Sequence, residues 1–568
     1  GRLSEVKVDD FDKVVFDIET TLTTDKIWCI VCKHKDTYYQ FKEDRIHRFE
    51  EFLKQTKEVI GHNIIGFDIP VLNKAFGYNI FKNCKITDTL ILSRLLNPML
   101  EGGHSLKNWG EKLYKKKMEF DNFDYFSEEM LKYCRNDVDL TEKLYKFLSK
   151  KMTDFGESIE LEHKVAKIIQ RQHEKGFMID VVGAHMLQAK FKEDMTSLQL
   201  IVRKTFPPLK IETEFIPKSN NKTRGYVKGV PFTKVKFKEF NLGSRQQIAE
   251  RLVMLGWKPK KKTDKGHIIV DEKVLSEIKT IPEAELIKKF LTLQKRIAQV
   301  SSWIEATRED GRVHGKVITN GTITGRMSHQ SPNMAQVPAV YSPYGKECRE
   351  LWITNKGYKL VGVDASGLEL RMLAHYMNDK EYTHEIINGD IHTTNQIRTG
   401  LESRDEAKTF IYALIYGAGS KKIGSIIKRS ERDGERVKEK FLRATPSFKR
   451  LRERVDGVAK KRWLRGLDQR KILIRHPHAA LNTLLQGAGA CVMKKALTLV
   501  EEYVRSKRMK AVPIVNVHDE FQYEVEESRA EEFGKLGVQA IIDAGKELKI
   551  RCPLDGKYKI GNNWAETH

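Results

Sequence analysis

Long apolar runs are missing from this chain of 568 residues, whose mean hydropathy is −0.50. A membrane-spanning helix needs about 20 consecutive apolar residues, so none is expected, and the N-terminus has no signal-like pattern. Cysteine is scarce. Seven thiols, an odd number scattered over the length, exclude a disulfide framework and point to a reducing, cytosolic compartment. Cys29 and Cys32 are spaced like half of a zinc site, but they sit in an apolar run and no second pair follows, so a core strand is expected there. No internal repeat or low-complexity segment is found, which excludes a repeat array. Acids are outnumbered: 77 Asp and Glu stand against 101 Lys and Arg, a formal charge of +24. That surplus suits a polyanionic partner, most often nucleic acid. The length implies several domains with ample core.

What is present begins with acids. Val14–Thr20 reads as a strand carrying Asp17 and Glu19 two residues apart, hence on one face. Asp68 follows the Gly61-His62-Asn63 turn, and Tyr133 and Asp137 lie one helical turn apart. Any one of these acids alone reads as a solvated surface charge. Converging, they would repel unless divalent cations neutralised them, and paired cations commonly drive phosphodiester hydrolysis. From 160 to 175 and from 283 to 297 the pattern is helical. Between them, 206–240 is rich in turn residues, the 234–238 stretch alternates like an exposed strand, and Lys258, Lys260, Lys261 and Lys262 form a basic loop able to grip phosphates.

The densest stretch is 359–377, an apolar strand ending in Asp364, a Ser366-Gly367 turn, and a helix from Leu368. Alone, Asp364 reads as a helix cap. Further along, Asp390 is placed to cap a helix, and Arg404, Lys408 and Tyr412 recur every four residues on one stripe, with Tyr416 beyond. Two cations beside aromatic rings fit a triphosphate with a base or sugar packed next to it. Two β-rich runs flank His518, Asp519 and Glu520, which reads as a tight hairpin with carboxylates at its tip. Asp364 and Asp519 brought together would form a two-metal site suited to phosphoryl transfer.

The 364–371, 404–417 and 517–520 stretches resemble motifs A, B and C of family A (Pol I-type) DNA polymerases. The strand acids, Asp68 and the Tyr133/Asp137 pair resemble the 3′–5′ proofreading exonuclease domain of DNA polymerases. Within family A, the likeness extends over nearly the whole chain to the replicative polymerases of T-odd bacteriophages that use host thioredoxin. The resemblance implies an α/β multidomain fold, an RNase H-like exonuclease followed by a right-hand polymerase. Its expected parts are exonuclease 1–155, thumb 156–300 with a short insertion near 206–240, palm 301–386, fingers 387–480 and palm again 481–568. It implies Asp17, Glu19, Asp68 and Asp137 as metal ligands, with Tyr133 orienting the attacking water. In the polymerase it implies metal at Asp364, Asp519 and the Ala365 carbonyl, with Glu520 nearby and His518 in the same turn. Arg404, Lys408 and His392 would hold the triphosphate, with Lys408 protonating pyrophosphate. Tyr416 would pack on the nascent pair, Arg326 and Gln486 would read the minor-groove edge, and Glu369 would exclude ribonucleotides. Tyr412, where many relatives carry Phe, would offer a hydroxyl near the incoming 3′ position and so admit dideoxynucleotides. The cofactor implied is Mg2+, two ions per site, with Mn2+ able to substitute. The partners implied are primer-template DNA and dNTPs, with a processivity factor and a helicase-primase as candidates, in the cytoplasm of a bacterial host.

Two departures stand out. The insertion near 206–240 is much shorter than in the thioredoxin-dependent enzymes, which leaves thioredoxin, another factor or intrinsic processivity open. Gln469 occupies a turn where Gly is expected. Three other functions compete with this one. Glu369 and the intact exonuclease acids count against a single-subunit RNA polymerase, and retention of both acid sets counts against a silent DNA-binding subunit. A repair polymerase shares the mechanism, but the proofreading set favours replication.

Overall fold

The computed structural model describes residues 11–568, so the first ten residues of the expected exonuclease segment lie outside the described residues. Among the described residues no helix is long and apolar enough to cross a membrane. The described residues form two compact units. One comprises 11–177, 314–336 and 354–568; the other comprises 178–313 and 337–353.

The first unit opens with β1 (Phe11–Thr20), β2 (Ile27–His34), β3 (Thr37–Lys42), β4 (Thr56–Gly61) and β5 (Lys85–Asp88), in the order β3-β2-β1-β4-β5. β1 pairs antiparallel with β2 and parallel with β4. Alternation along β1 sends Phe16 and Ile18 into one core and Val15 into another, so Asp17 and Glu19 share Val15's face. α1 (Glu128–Lys151), with Ser127 accepting from the Met130 amide as its N-cap, covers that face. The CxxC pair is core, as expected: Cys29 and Cys32 are fully buried and belong to different clusters on the two faces of the sheet. All seven thiols are free.

α2 (Ser158–Lys175) leads to a four-stranded antiparallel sheet made of β6 (Tyr358–Ala365), β7 (Ala511–Val517), β8 (Glu520–Glu526) and β9 (Gly556–Gly561), in the order β7-β8-β6-β9. β6 has a neighbour on each side and its Leu360, Val361 and Val363 are fully buried, which is why it reads as a continuous apolar run. The helices of this part are α3 (Leu368–Met377), α4 (Ile391–Thr399), α5 (Arg404–Ile415), α6 (Ala480–Ser506) and α7 (Ala530–Glu547). α6 is apolar on most of its circumference and is accordingly buried along its length.

Beneath α6 lies a buried ionic cluster. Glu162 of α2, fully buried, accepts from Lys494 Nζ at 2.7 Å and faces Arg470 Nη1 at 2.8 Å, while Asp468 takes Arg470 Nη2 at 2.6 Å. Two acids and two bases cancel, the condition under which charges survive burial. Arg470 follows Gln469, whose φ of +74° explains the expectation of Gly in that turn.

The second unit packs helix Val181–Thr205 on helix Glu283–Ala306, the latter nine residues longer than its sequence pattern indicates. The turn-rich insertion is a hairpin of Leu209–Phe215 with Phe232–Lys238. Its exposed strands are held by an aromatic knot of Phe215, Tyr226 and Phe232, with Lys234 Nζ 4.0 Å from the Phe215 ring centre. This unit spans parts of the segments expected as thumb and first palm portion.

Candidate active sites

The first acid cluster sits where β1 meets α1. Cys134 donates to the Asp17 carbonyl at 3.5 Å, which brings the helix turn carrying Tyr133 and Asp137 against the strand. Ligand atoms of Asp17, Glu19 and Cys134 all lie within 4.8 Å of one another. Asp68 reaches the cluster from a left-handed turn at Asn63 (φ 60°). Buried Asp88 shapes that turn by accepting from the Asn63 and Ile65 amides at 2.8 and 3.1 Å. Two histidines clamp this region: His62 bridges Thr89 Oγ1 and the His104 carbonyl, and His104 meets Ser93 Oγ at 2.6 Å. Burial pushes His62 down to about 4, so it stays neutral.

The electrostatics of this cluster call for a cation. Burial, then the Asp137 charge, push Asp17 up to about 7. Burial, then Asp17 and Asp137, push Glu19 up to about 11. Asp68 is raised by burial and by Asp17, and its Oδ2 is buried without a partner. Four crowded carboxyls and an orphaned carboxylate oxygen fit a hard divalent cation, which would let all of them ionise. The cation that does reach them is Lys117, donating to both Asp137 oxygens at 3.0 Å and to the Tyr133 hydroxyl.

The second cluster is built by strand register. Asp364, at the end of β6, stands opposite Glu520 on β8, and the Ala365 amide donates to the Asp519 carbonyl at 3.0 Å. The β7–β8 turn has only His518 and Asp519, and His518 takes the left-handed conformation (φ 55°) such a two-residue turn demands. Asp364 does not cap α3: the N-cap is Gly367 at φ 49°, with no side-chain cap bond. Asp364 meets solvent, but the surrounding protein desolvates it and Glu520 and Asp519 repel it, and together these push it up to about 6. Burial also raises Asp519, opposed by Arg326 and His518. Glu520 is held back from the opening by Gln522 Nε2 at 2.9 Å and His568 Nδ1 at 3.2 Å. This cluster too has excess negative charge that a divalent cation would balance.

Of the remaining expected residues, Glu369 and Arg326 lie close enough to Asp519 to interact with its charge. Glu369, in the first turn of α3, is half-buried with one carboxylate oxygen unpartnered. Its carboxyl is raised by burial and by Asp519 and lowered by Arg326, and it in turn raises the Tyr412 phenol. Arg326 leaves a turn closed by its amide on Thr322 Oγ1, with Gly325 at φ 82°. Gly487, next to Gln486 on α6, borders that turn: a Cβ there would make ordinary contact with the Thr324 carbonyl at 3.4 Å. On the helical arm, Asp390 caps α4 through the His392 and Thr393 amides. Asp390 also accepts from Arg404 Nε at 2.7 Å. His392 lies 6.2 Å from the Tyr412 ring, and its imidazole is lowered by burial and then by the Arg404 and Lys408 charges. Lys408 is exposed, and Tyr416 is about half exposed at the end of α5. Gly417 follows at φ 83°, with the His478 carbonyl where a side chain would be.

Sequence reasoning missed Lys117, Cys134, and the Glu162, Asp468, Arg470 and Lys494 cluster. Lys494 lines a cavity with Arg326, His329, His518 and Asp519.

A profile for DNA polymerase family A matches residues 227–566, and one for 3′-5′ exonuclease matches residues 7–153. The DNA-directed DNA polymerase of Enterobacteria phage T3 is 33% identical, covering 98% of this chain and 100% of that protein. That of Escherichia phage T7 is 35% identical over 90% of this chain and 92% of its own length. The T3 alignment runs to 711 positions against 568 residues here, so the relative carries segments this chain lacks. The POL domain of Pol1 from M. smegmatis, in complex with DNA primer-template and dNTP, has the same fold, with a TM-score of 0.81 at 17% identity over 99% of this chain and 97% of that one.

Proposed function

Because the chain belongs to the family A DNA polymerases and carries their 3′–5′ exonuclease domain, we propose that it is a replicative phage enzyme. In this reading it extends primers at the Asp364/Asp519 cluster and excises mispaired ends at the Asp17/Asp137 cluster. Family membership makes it a divalent-metal-dependent DNA-directed DNA polymerase; Mg2+, two ions per site with Mn2+ as substitute, is the finer proposal. The observation that carries the reading is the 3.0 Å bond from the Ala365 amide to the Asp519 carbonyl, which ties the strand-end carboxylate to the hairpin-tip carboxylate on a rigid sheet.

Asp364, Asp519 and the Ala365 carbonyl would hold the cations of extension, and Asp17, Glu19, Asp68 and Asp137 those of excision. When bound, such cations supply the charge that acidifies the attacking hydroxyl or water and offsets charge developing on phosphorus. The chain's own groups do the rest. Arg404, Lys408 and His392 bind and orient the triphosphate, and Lys408, exposed on the α5 face, delivers the proton to departing pyrophosphate. Tyr416 stacks on the nascent pair. Glu369 closes the space beside the sugar 2′ carbon, with Tyr412 above it. Arg326 and Gln486 contact the minor-groove acceptors that all correct pairs share, so pairing is checked without sequence choice. Tyr133 orients the attacking water at the second site.

Palm (301–386 and 481–568), fingers (387–480) and thumb (156–300) are the working division, and a processivity factor and a helicase-primase the proposed partners, acting in the cytoplasm of a bacterial host. Primer extension on primed single-stranded DNA with Mg2+ tests the reading. Asp519→Asn should abolish extension and spare excision of a mispaired end, and Asp137→Asn the reverse. Equal use of ribonucleotides, or extension surviving Asp519→Asn, would sink it. Extension with and without thioredoxin, under a trap that limits each enzyme to one binding event, decides the factor.

A further inference from the structure

Lys117 belongs to an irregular stretch, 113–127, between helix Leu106–Lys112 and α1. The stretch is anchored along its length. The Lys115 amide donates to the Gly110 carbonyl at 2.9 Å, Lys143 Nζ to the Leu113 carbonyl at 2.6 Å, and Trp28 Nε1 to the Phe123 carbonyl at 2.8 Å. A Cβ on Gly110 would meet the Lys115 carbonyl at 2.7 Å, so a glycine is what lets the strap lie this close. Lys115, Lys116 and Lys117 follow one another, and it is the Lys117 ammonium that reaches Asp137 and Tyr133.

Its ammonium bonds both oxygens of Asp137 at 3.0 Å and donates to the Tyr133 hydroxyl, 3.9 Å from that ring's centre. Lys117 and Asp137 side chains keep only 21% and 7% of their exposure. Phe120 and Phe123 from the same strap pack on Tyr133 at 5.4 and 6.2 Å. A phenol oxygen that accepts from an ammonium has its own proton directed elsewhere. Lys117 therefore leaves the Tyr133 proton to be donated to another acceptor, while Phe120 and Phe123 of the strap pack on its ring.

We propose that Lys117 is a positioning residue for 3′–5′ excision: it orients the Tyr133 hydroxyl and shares the Asp137 carboxylate with the cation bound there. The inference rests on the assignment of Asp17, Glu19, Asp68, Asp137 and Tyr133 to excision.

The test is made on the full chain, with single-stranded oligodeoxynucleotide as substrate and Mn2+ as the spectroscopic probe. Lys117→Met should lower kcat about 10- to 100-fold, the cost typical of removing a group that orients a ligand. KM should move by less than about twofold, since no phosphate contact is lost. Lys117→Arg, which keeps a cation able to donate to carboxylate and hydroxyl together, should recover part of the rate. In a Tyr133→Phe background, Lys117→Met should cost little more, because the two act as a unit. Mn2+ binding, read by EPR, should tighten when the competing ammonium leaves Asp137. An unchanged kcat, a loss carried by KM, losses that multiply in the double variant, or Mn2+ affinity that stays level or weakens each overturn the inference. If Lys117→Met unfolds at a lower midpoint, Lys117→Gln, a smaller change in polarity, takes its place with the same readings. Excision that survives Asp137→Asn sinks the site assignment itself; a dead Asp137→Asn beside a fully active Lys117→Met sinks only the inference.

Discussion

Stripped of divalent cations, this chain should lose stability as pH rises through neutrality. Burial and Asp137 push the Asp17 carboxyl from an ordinary 3.8 up to about 7, and burial with Asp17 and Asp137 pushes Glu19 from 4.5 up to about 11. The folded chain therefore keeps protons that the unfolded chain has released above about pH 4. A group raised on folding stabilises fully below its unfolded value, and that contribution is lost as pH climbs to the folded one. For Asp17 the window runs from 3.8 to about 7. It corresponds to at most about 4 kcal/mol, lost by about pH 8. Glu19 extends the decline past that point, since its window reaches to about 11. The loss lowers the thermal midpoint by about 10 °C if some ~150 residues around the β1 sheet unfold alone, and by about 3 °C if the whole chain unfolds together. Calorimetric scans in EDTA between about pH 4 and about pH 8 read the shift. Mg2+ should restore more stability at the alkaline end, where it replaces the missing protons. Asp17→Asn isolates the contribution, because the isosteric amide carries no charge to repel. A midpoint in EDTA that is flat or rises with pH, or the same slope in wild type and Asp17→Asn, refutes the reasoning.

Three further outcomes are expected. Glu162→Ala strands Arg470 and Lys494 in the interior and should cost about 3–5 kcal/mol, seen as a lower urea midpoint, with Lys494→Met recovering part. Gln469→Gly relieves a left-handed φ of +74° and should raise the melting midpoint by an amount equivalent to about 1 kcal/mol, and an unchanged or lower midpoint refutes it. Tyr412→Phe removes the hydroxyl proposed near the incoming 3′ position. Discrimination against dideoxynucleotides should rise on the order of 10- to 100-fold, the worth of one such hydrogen bond, and unchanged relative incorporation would remove the role.

What could be read in the sequence, and what could not, follows from the range of each interaction. Asp17 and Glu19 were legible because a strand repeats every two residues, and Arg404, Lys408 and Tyr412 because a helix repeats near every four. In both cases the backbone period alone puts the side chains on one face. Asp364 and Asp519 needed more, since 155 positions separate them, and only the recognisable strand-turn and hairpin shapes identified each as the end of an element. Lys117 had neither aid. Its strap has no period, three consecutive lysines read as solvent-facing, and the inward turn of the third depends on Gly110 and on anchors from β2 and α1 that lie far off in sequence. Glu162 was hidden for the opposite reason. It sits in a clean helical pattern where an acid reads as the wet face, and only Arg470 and Lys494, more than 300 residues on, make its burial affordable. Gln469 lies between these cases. A turn preference flagged it, and the positive φ supplies the cause. In the Asp17 cluster the acids were thus visible one by one, whereas the ammonium of Lys117 that meets them comes from a loop, where only the folded chain brings it in.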